Sequence, residues 1–240
     1  MVTSVQPFPT NGVLAENLNL TYSKLAKRIG KPREAAYSYI VKSVESVNLD
    51  DRVCFEQHGS APNFQGGRLT LCTCKHQMRS RLELLQWKDK WIAGFTSRCL
   101  YRRKHWLYFL TRVANAHESH ANLWDSMPAA VRKAKSAEED FLGDLFPPRG
   151  KTVGDGRFDP GRYHAPSRHS HRSHKCDYGW HNDINYKDRY GRRPPLLVGD
   201  PHSTFLWERP VICYDDHHCR DYLKWASVAE LVSHLIGEAA

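Results

Sequence analysis

The stretch WIAGFTSRCLYRRKHWLYFLTRV, residues 91–113, decides the fold class, because it contains two apolar segments separated by a short basic one. WIAGF is a short apolar run and WLYFLTRV is a long aromatic run, and both are typical of β-strands. The basic segment between them predicts a hairpin or a loop. Its cationic side chains either contact phosphate or form an ordinary solvated turn; they are Arg98, Arg102, Arg103 and Lys104.

Segments on either side of this stretch also have strand patterns. YSYIV (37–41) and LTLCTC (69–74) alternate, while PLLVGD (195–200) and STFLWE (203–208) predict two separate strands. DYLKWASVAELVSHLIGEA (221–239) has helical spacing and predicts a C-terminal amphipathic helix. We therefore predict an α+β fold with a compact mixed or antiparallel β-sheet and flanking helices.

Shorter helices are predicted at two other places. YSKLAKRI (22–29) places its apolar residues on one helical face after a polar lead-in, so residues 1–33 are predicted to form an N-terminal segment. Residues 119–145 have helical spacing that is interrupted by Pro128, which predicts one or two short helices. We expect residues 34–240 to form a single domain.

The composition favours a polyanionic partner. The chain has 240 residues, a formal net charge of +9 and 14 histidines. Nucleic acid is favoured over a membrane, because the sequence has no apolar run long enough to span a bilayer and its N-terminus lacks the pattern of a signal peptide. Seven cysteines without regular spacing are typical of reduced thiols, so we expect a cytoplasmic protein.

Residues 147–195 form a long segment that is rich in Lys, Arg, His and Gly. A loop of this length is usually functional or disordered, and its aromatic residues argue against simple disorder. Imidazole and thiolate groups suit a divalent metal such as zinc, and Asp183 could complete a ligand set. Histidines interleaved with arginines are also typical of a loop that faces nucleic acid. The candidate metal ligands are His171, His174, Cys176 and His181.

The stretch LTLCTCKHQMRSR (69–81) begins as a strand and ends in a basic segment. If the strand continues, three side chains share one face and offer part of a zinc site: Cys72, Cys74 and His76. In the alternative that we favour, the cysteines face the core, and Thr73 and Lys75 point to the opposite face. Lys75 and Arg79 would then bind a phosphate at the end of the strand.

Several segments occur in an order that resembles a known group of families. They are YSYIV (37–41), APN (61–63), LTLCTCK (69–75) with the following Arg79, WIAGFTSR (91–98), LYFLTRV (107–113) and LLVGDPHSTFLWERPVI (196–212). This order resembles the nucleotide modification associated domain families, types 2 and 3, which have a Leu-x-Thr-Cys-Lys core motif. An apolar strand after a short basic loop is also similar to PUA-like domains, which read modified bases in a pocket, so a PUA-like barrel is a second expectation.

The resemblance implies an α+β domain that is encountered with DNA base hypermodification and with phage–host conflict. It also implies that the positions matching the polar residues of these families contribute to the functional site. Those positions are Ser38, Asn63, Thr73, Cys74, Lys75, Arg79, His181, Asp183, Asp200 and His202.

We therefore expect a protein that binds nucleic acid or a nucleotide and that acts in DNA base modification or in recognition of modified DNA. Phosphate contacts are expected from the two basic segments, and an extruded base is expected to stack on Trp91 or Trp180. P-loop and dinucleotide fingerprints are absent, which argues against an ATP-dependent or NAD-dependent enzyme. The alternative is an enzyme that acts on a modified base, with Cys74 as nucleophile and with acid–base groups from His181, Asp183, Asp200 and His202.

Overall fold

A computed structural model of this protein describes residues 5–49, 51–58, 61–137, 144–166, 179–218 and 221–237. The described residues form two compact units, and each unit is assembled from separate segments of the chain. The first unit lies within Met1–Gln6, His58–Lys88 and Ala114–Val198. The second unit lies within Pro7–Gln57, Asp89–Val113 and Gly199–Ala240. The predicted division after residue 33 stays a prediction.

Both helices and strands occur along the chain, which confirms the predicted α+β class. The described helices are α1 (Gly12–Glu16), α2 (Tyr22–Ile29), α3 (His76–Arg79), α4 (His120–Ser126), α5 (Ala129–Ala137), α6 (Gly179–Asn185) and α7 (Val228–Ser233). The described strands are β1 (Ala36–Ile40), β2 (Val44–Leu49), β3 (Arg52–Gln57), β4 (Thr70–Leu71), β5 (Trp91–Phe95), β6 (His105–His117), β7 (Leu196–Leu206), β8 (Ile212–Tyr214), β9 (Leu223–Trp225) and β10 (Ile236–Gly237). Within the described ranges, no helix has the length and apolar character needed to cross a membrane.

The main sheet of the second unit is mixed, as predicted. Its strand order is β10-β8-β6-β5-β1-β9, and β7 also pairs with β6. β1 and β5 are parallel, whereas β5 and β6 are antiparallel and are joined by the predicted basic hairpin loop. Gly94 lies opposite Phe109 in this hairpin, and a Cβ atom on Gly94 would approach the Phe109 ring to 2.1 Å. The glycine in WIAGF is therefore needed to make room for the aromatic ring of the neighbouring strand.

One apolar core supports this sheet. It joins side chains of the central strands, including Phe95 and Leu107, to Leu25 of α2 and Leu231 of α7. Trp207 is completely buried in the same cluster, and its indole nitrogen donates a hydrogen bond to the Leu20 carbonyl at 2.8 Å. Burial of large apolar side chains stabilises the second unit, because each contributes about 1.5–3 kcal/mol when it is fully removed from water.

The C-terminal region differs from the long amphipathic helix that was predicted. β9 and β10 occupy its two ends, and only α7 is helical between them. The helix begins late because Ser227 is an extended N-cap whose hydroxyl accepts a hydrogen bond from the Glu230 amide at 3.1 Å. The Glu230 carboxylate accepts a further hydrogen bond from the Ala226 amide at 2.7 Å, which ties the residue before the cap to the first turn of the helix. Upstream of the cap, Trp225 pairs with Ala36 in the sheet.

Two other strand predictions need correction. PLLVGD and STFLWE belong to the single continuous strand β7, which runs through Asp200, Pro201 and His202 without a break. The hairpin of β2 and β3 was not predicted. Its signal was a pair of aspartates between two polar, alternating runs, and Asp51 has a left-handed φ of 61° at the turn.

The first unit has less regular structure. β4 contributes only two residues, which pair antiparallel with the start of β7. The predicted short helices on either side of Pro128 are confirmed as α4 and α5. Part of the long segment 147–195 folds into short turns of 3₁₀ helix at Gly154–Phe158 and Pro160–Arg162. Its buried apolar side chains include two small clusters, and α4 contributes Leu123 to one and Ala121 to the other.

Candidate functional site

The stretch Leu69–Arg81 leaves the strand conformation earlier than predicted. β4 ends at Leu71, and Lys75 adopts a left-handed conformation with φ of 55° before α3 begins. The predicted alternation between Thr73 and its neighbours therefore does not exist, and Cys72 and Thr73 are both buried. The expectation that the two cysteines and the following histidine share one face of a continuing strand is wrong, because a strand of two residues cannot align them.

Arg79 is completely buried in the first unit, and its guanidinium donates to backbone carbonyl groups. Its Nε atom donates to the Cys74 carbonyl at 2.8 Å and its Nη2 atom to the Cys72 carbonyl at 2.6 Å. Its Nη1 atom donates to the Pro195 carbonyl at 2.6 Å. A guanidinium has five donors in a rigid fork, so this one side chain joins two distant backbone segments. The structure therefore places this predicted phosphate-binding residue in a positioning role.

A second buried network surrounds Lys135 and Asp144. The ammonium group of Lys135 donates to the Asn63 side-chain oxygen at 2.7 Å and to the Thr70 hydroxyl at 3.2 Å. That hydroxyl donates to Asp144 Oδ2 at 2.5 Å, and the Cys72 amide donates to Asp144 Oδ1 at 2.9 Å. Thr70 thus bridges two opposite charges in the interior of the first unit, and Asn63, another predicted site residue, is one of their hydrogen-bonding partners.

Burial shifts the pKa values of this network. Loss of hydration lowers the pKa of Lys135 to about 8, although the Asp144 carboxylate opposes the shift. Burial raises the pKa of Asp144 to about 6, although the hydrogen bonds from Thr70 and from the Cys72 amide oppose that shift. Burial also raises the pKa of the Cys72 thiol, so this cysteine is a poor nucleophile. Burial therefore destabilises the charged forms of Lys135 and Asp144, and hydrogen bonds with neighbouring groups stabilise them.

Asp183 lies beside a histidine of the motif stretch, His76. His76 Nε2 lies 2.9 Å from Asp183 Oδ1, and the two side chains are 18% and 2% exposed. The His76 ring stacks on Tyr186, with 4.4 Å between ring centroids. His181, which was predicted as an acid–base group and a metal ligand, packs edge-on against Trp180, with 4.3 Å between ring centroids. A largely buried imidazole that keeps some contact with solvent, beside a buried carboxylate, is an arrangement that can transfer protons, because the carboxylate fixes the orientation of the ring.

The first unit also contains a cleft with a volume of about 470 Å³. It is lined by residues that follow α3, by the turn Gly154–Phe158 and by the segment that precedes β7. Three cations and three carboxylates line it: Lys187, Arg192, Arg193, Glu83, Glu118 and Asp155. Ligand sites in proteins are typically clefts of this size that combine apolar walls with a few polar groups.

Arg193 and Phe158 both line the cleft and contact each other. The Cζ atom of Arg193 lies 3.6 Å from the centroid of the Phe158 ring, which is close enough for a cation–π interaction. Burial lowers the pKa of Arg193, while the nearby Asp155 and Glu118 carboxylates raise it, and a guanidinium keeps its charge under such conditions. Arg193 Nη1 donates to the Asn185 carbonyl at 3.3 Å, which leaves other guanidinium donors for an anion. Lys187 is exposed and lines the same cleft.

The buried arginine of the motif helps to position this cleft. Arg79 donates to the carbonyls of Pro194 and Pro195, at 3.4 Å and 2.6 Å. Pro195 itself lines the cleft, and Arg193 immediately precedes the proline pair. The same arginine accepts a hydrogen bond at its carbonyl from the Trp87 indole at 2.9 Å. The stretch LTLCTCKHQMRSR therefore positions the wall of the cleft through Arg79. The Arg79 guanidinium itself does not line the cleft.

Sequence reasoning missed the residues that line the cleft. The available signal was YKDRYGRR (186–193), in which tyrosines and cations are interleaved. The prediction instead followed the histidines of the same long segment. Phe158 carried no signal, because only the fold brings it to Arg193 from 35 residues away in the sequence.

The other predicted residues of the first unit are less accessible. Trp180 is buried against Phe146, with 5.4 Å between ring centroids, so its indole offers no open face for stacking. Cys74 and Lys75 are half-buried. Three candidate metal ligands lie outside the described residues: His171, His174 and Cys176. Within the described ranges, no group of three or more His, Cys, Asp or Glu side chains is placed to hold a metal ion.

The remaining predicted residues belong to the second unit. Ser38 is buried, and its hydroxyl is hydrogen-bonded to His218 Nε2 and to the Trp225 indole, both at 2.9 Å. Trp91 is buried in β5, so its ring is also closed to stacking. Asp200 accepts a hydrogen bond from Arg112 at 3.1 Å. The exposed members of this set are His202 at the surface of β7 and the hairpin-loop residues Arg98, Arg102 and Arg103.

Comparison of the chain with protein-family models, with curated proteins and with solved structures finds no match. The resemblance to the nucleotide modification associated domain families therefore stays a prediction. The candidate functional sites of the first unit are the cleft around Arg193 and the pair of His76 and Asp183.

Proposed function

We propose that this protein binds a nucleotide, either free or within nucleic acid, in the cleft of the first unit. The observation that carries the proposal is the packing of Arg193 on Phe158 beside Lys187, in a cleft that both cations can share with a ligand. A role in DNA base modification, or in recognition of modified DNA in the cytoplasm, is the finer part of the proposal, and the resemblance to the nucleotide modification associated domain families supports it.

The two kinds of lining group match the two parts of a nucleotide. Lys187 and Arg193 are suited to a phosphate, because an ammonium group and a guanidinium donate charge-assisted hydrogen bonds to its oxygens. Phe158 and the guanidinium plane are suited to a base, which stacks on either kind of surface. Asp155 supplies acceptors for the amino groups of a base. The net charge of +9 would draw polyanions toward the chain before any specific contact forms.

The test is the affinity for a deoxynucleoside monophosphate such as dCMP, measured by isothermal titration calorimetry. Arg193→Gln is expected to lower the affinity by about tenfold or more, because it removes a charge-assisted contact. Arg209→Gln, which removes an exposed arginine of the second unit, is the matched control and should leave the affinity unchanged. Absence of dCMP binding at low salt, or equal effects of the two substitutions, would contradict the proposal.

A second candidate function is supported by the pair of His76 and Asp183. In this alternative the protein is an enzyme that acts on a modified nucleotide, with His76 transferring a proton and Asp183 orienting its ring. A divalent metal such as zinc, held by the His-rich segment, is part of the same alternative, and elemental analysis of the purified protein tests it. Conversion of 5-hydroxymethyl-dCMP, followed by mass spectrometry, should fall by about a hundredfold in Asp183→Asn. His234→Gln, which replaces an exposed histidine of the second unit, should leave that rate unchanged, and absence of conversion by the wild type excludes the reaction on this nucleotide.

A further inference from the structure

A tight turn carries the cations of the cleft. Asp188 Oδ1 accepts hydrogen bonds from the amides of Tyr190 and Arg192, both at 2.9 Å. The Asp188 carbonyl accepts from the Gly191 amide at 2.9 Å, and its amide donates to the Arg192 carbonyl at 2.9 Å. Gly191 has a φ of 77°, which a glycine adopts without strain. This network fixes the backbone of the turn, so the side chain at its tip is held in a defined place.

Tyr190 stands at the tip of this turn, with 64% of its surface exposed. It is the one aromatic residue among the large apolar side chains that are strongly exposed in the described part of the chain. The guanidinium carbon of Arg189 lies 4.7 Å from its ring centroid, and that of Arg192 lies 5.1 Å away. Tyr190 therefore presents open aromatic surface between two positive charges.

The turn continues directly into the cleft. Gly191, which follows Tyr190, lines the cleft together with Lys187, on the other side of the turn. The segment YKDRYGRR (186–193) contains four cations and one carboxylate. Arg192 is held by Asp188, with Nε and Nη2 at 2.9 Å and 2.8 Å from the same carboxylate oxygen. A ligand that leaves the cleft past Gly191 thus meets an aromatic ring and further positive charge.

We propose that the partner of this surface is single-stranded nucleic acid, with one nucleotide in the cleft and the neighbouring base stacked on Tyr190. This inference rests on the proposed function and names the kind of ligand that carries the nucleotide. Single strands are bound by positively charged grooves together with aromatic side chains on which successive bases stack. A duplex pairs and stacks its bases internally, so it has no free base face to offer to the ring of Tyr190.

The experiment measures fluorescence anisotropy with a labelled single-stranded dodecamer of deoxythymidine, with a duplex dodecamer and with polyglutamate. Tyr190→Ala is expected to weaken binding of the single strand by about tenfold, because one stacked base is lost. Tyr190→Phe keeps the ring and should bind as the wild type does. Neither substitution should change the affinity for the duplex or for polyglutamate.

The outcomes separate this inference from the proposed function. If Tyr190→Ala leaves the affinity for the single strand unchanged while Arg193→Gln weakens dCMP binding, the stacking platform is refuted and the nucleotide cleft stands. If the duplex or polyglutamate binds as tightly as the single strand and loses as much affinity in Tyr190→Ala, the partner is a duplex or an acidic protein and the inference is refuted. If the wild type binds neither dCMP nor the single strand, both proposals fall together.

Discussion

The interiors of the two units differ in what they bury. In the described part of the chain, every buried Lys, Arg or Asp side chain belongs to the first unit: Arg79, Lys135, Asp144 and Asp183. The second unit buries a continuous apolar cluster together with a few neutral groups, such as the Ser38 hydroxyl. The first unit is also the one that contains the cleft and the pair of His76 and Asp183.

Secondary structure explains this difference. In the second unit, paired strands satisfy most backbone amides and carbonyls of the sheet. In the first unit, β4 is only two residues long, so the backbone that follows it requires other partners. Arg79 and Asp144 supply them, as a donor to the Cys72 carbonyl and an acceptor for the Cys72 amide. Charged side chains therefore form hydrogen bonds with backbone groups in the first unit, whereas paired strands do so in the second. In this way they fix irregular backbone beside the cleft.

The largest expected effect comes from Arg79→Met. The substitution keeps much of the apolar volume but leaves buried carbonyls without donors, so we expect the free energy of unfolding to fall by about 3–5 kcal/mol. Arg112→Met, in the second unit, removes a guanidinium that is 40% exposed and bound to Asp200, and should cost less than about 1 kcal/mol. Urea denaturation measures both. Equal effects would mean that the buried charge network is not what stabilises the first unit.

A smaller effect is expected from pH, through Lys135 and Asp144. Burial raises the pKa of Asp144 from 3.8 to about 6. Between these two pH values the folded state binds more protons than the unfolded state, so the free energy of unfolding falls as the pH rises through this range. Because burial lowers the pKa of Lys135 from 10.5 to about 8, the unfolded chain binds the extra proton above pH 8, and stability rises with pH there. Both groups are charged and buried between these windows, so their joint contribution is least favourable from about pH 6 to 8.

The measurement is the difference in the free energy of unfolding between the wild type and the double variant Lys135→Met with Asp144→Asn. Plotted from pH 4 to 10, this difference should pass through a minimum near neutrality that is about 1–2 kcal/mol deep. A difference that is flat across this range would show that the two charges compensate one another completely. The apolar interior of the second unit has no such pair among its described residues, so its variants should not reproduce the minimum.

The second unit is also the part of the fold that sequence patterns predict best. WIAGF and WLYFLTRV are strands because aromatic and β-branched side chains fill an apolar core, and this local pattern is visible in the sequence. The C-terminal helix is shorter than the spacing predicts, since the N-cap at Ser227 starts the helix there and the residues upstream of it pair as β9. The cap is itself a readable signal, because Ser227 is a preferred N-cap residue and stands directly before an apolar helical run.

The candidate site was much less predictable. Arg79 was identified as important, but its partners at Pro194 and Pro195 are more than a hundred residues away and are backbone groups, which leave no trace in side-chain patterns. The cleft combines residues of several segments, and only the fold places Phe158 against Arg193. Charge and aromatic content can be read from the sequence, whereas tertiary contacts decide which cations line the cleft.

The smallest expected effect concerns two matched helix N-caps, one in each unit. Ser119 and Ser227 have the same extended backbone, and each hydroxyl accepts a hydrogen bond from the amide three residues later, at 3.2 Å and 3.1 Å. Ser119 in the first unit is also buried, and its hydroxyl donates to Asn122 Oδ1 at 2.6 Å. Replacement of an N-cap by alanine costs about 0.5–2 kcal/mol, and we expect Ser119→Ala to lie at the upper end and Ser227→Ala near the lower end. Urea denaturation of the two variants should therefore rank the first unit as the more sensitive one, because a buried polar group that loses its partner has no water to replace it. The opposite ranking would show that the hydrogen bonds of the first unit are no more important to its stability than those of the second.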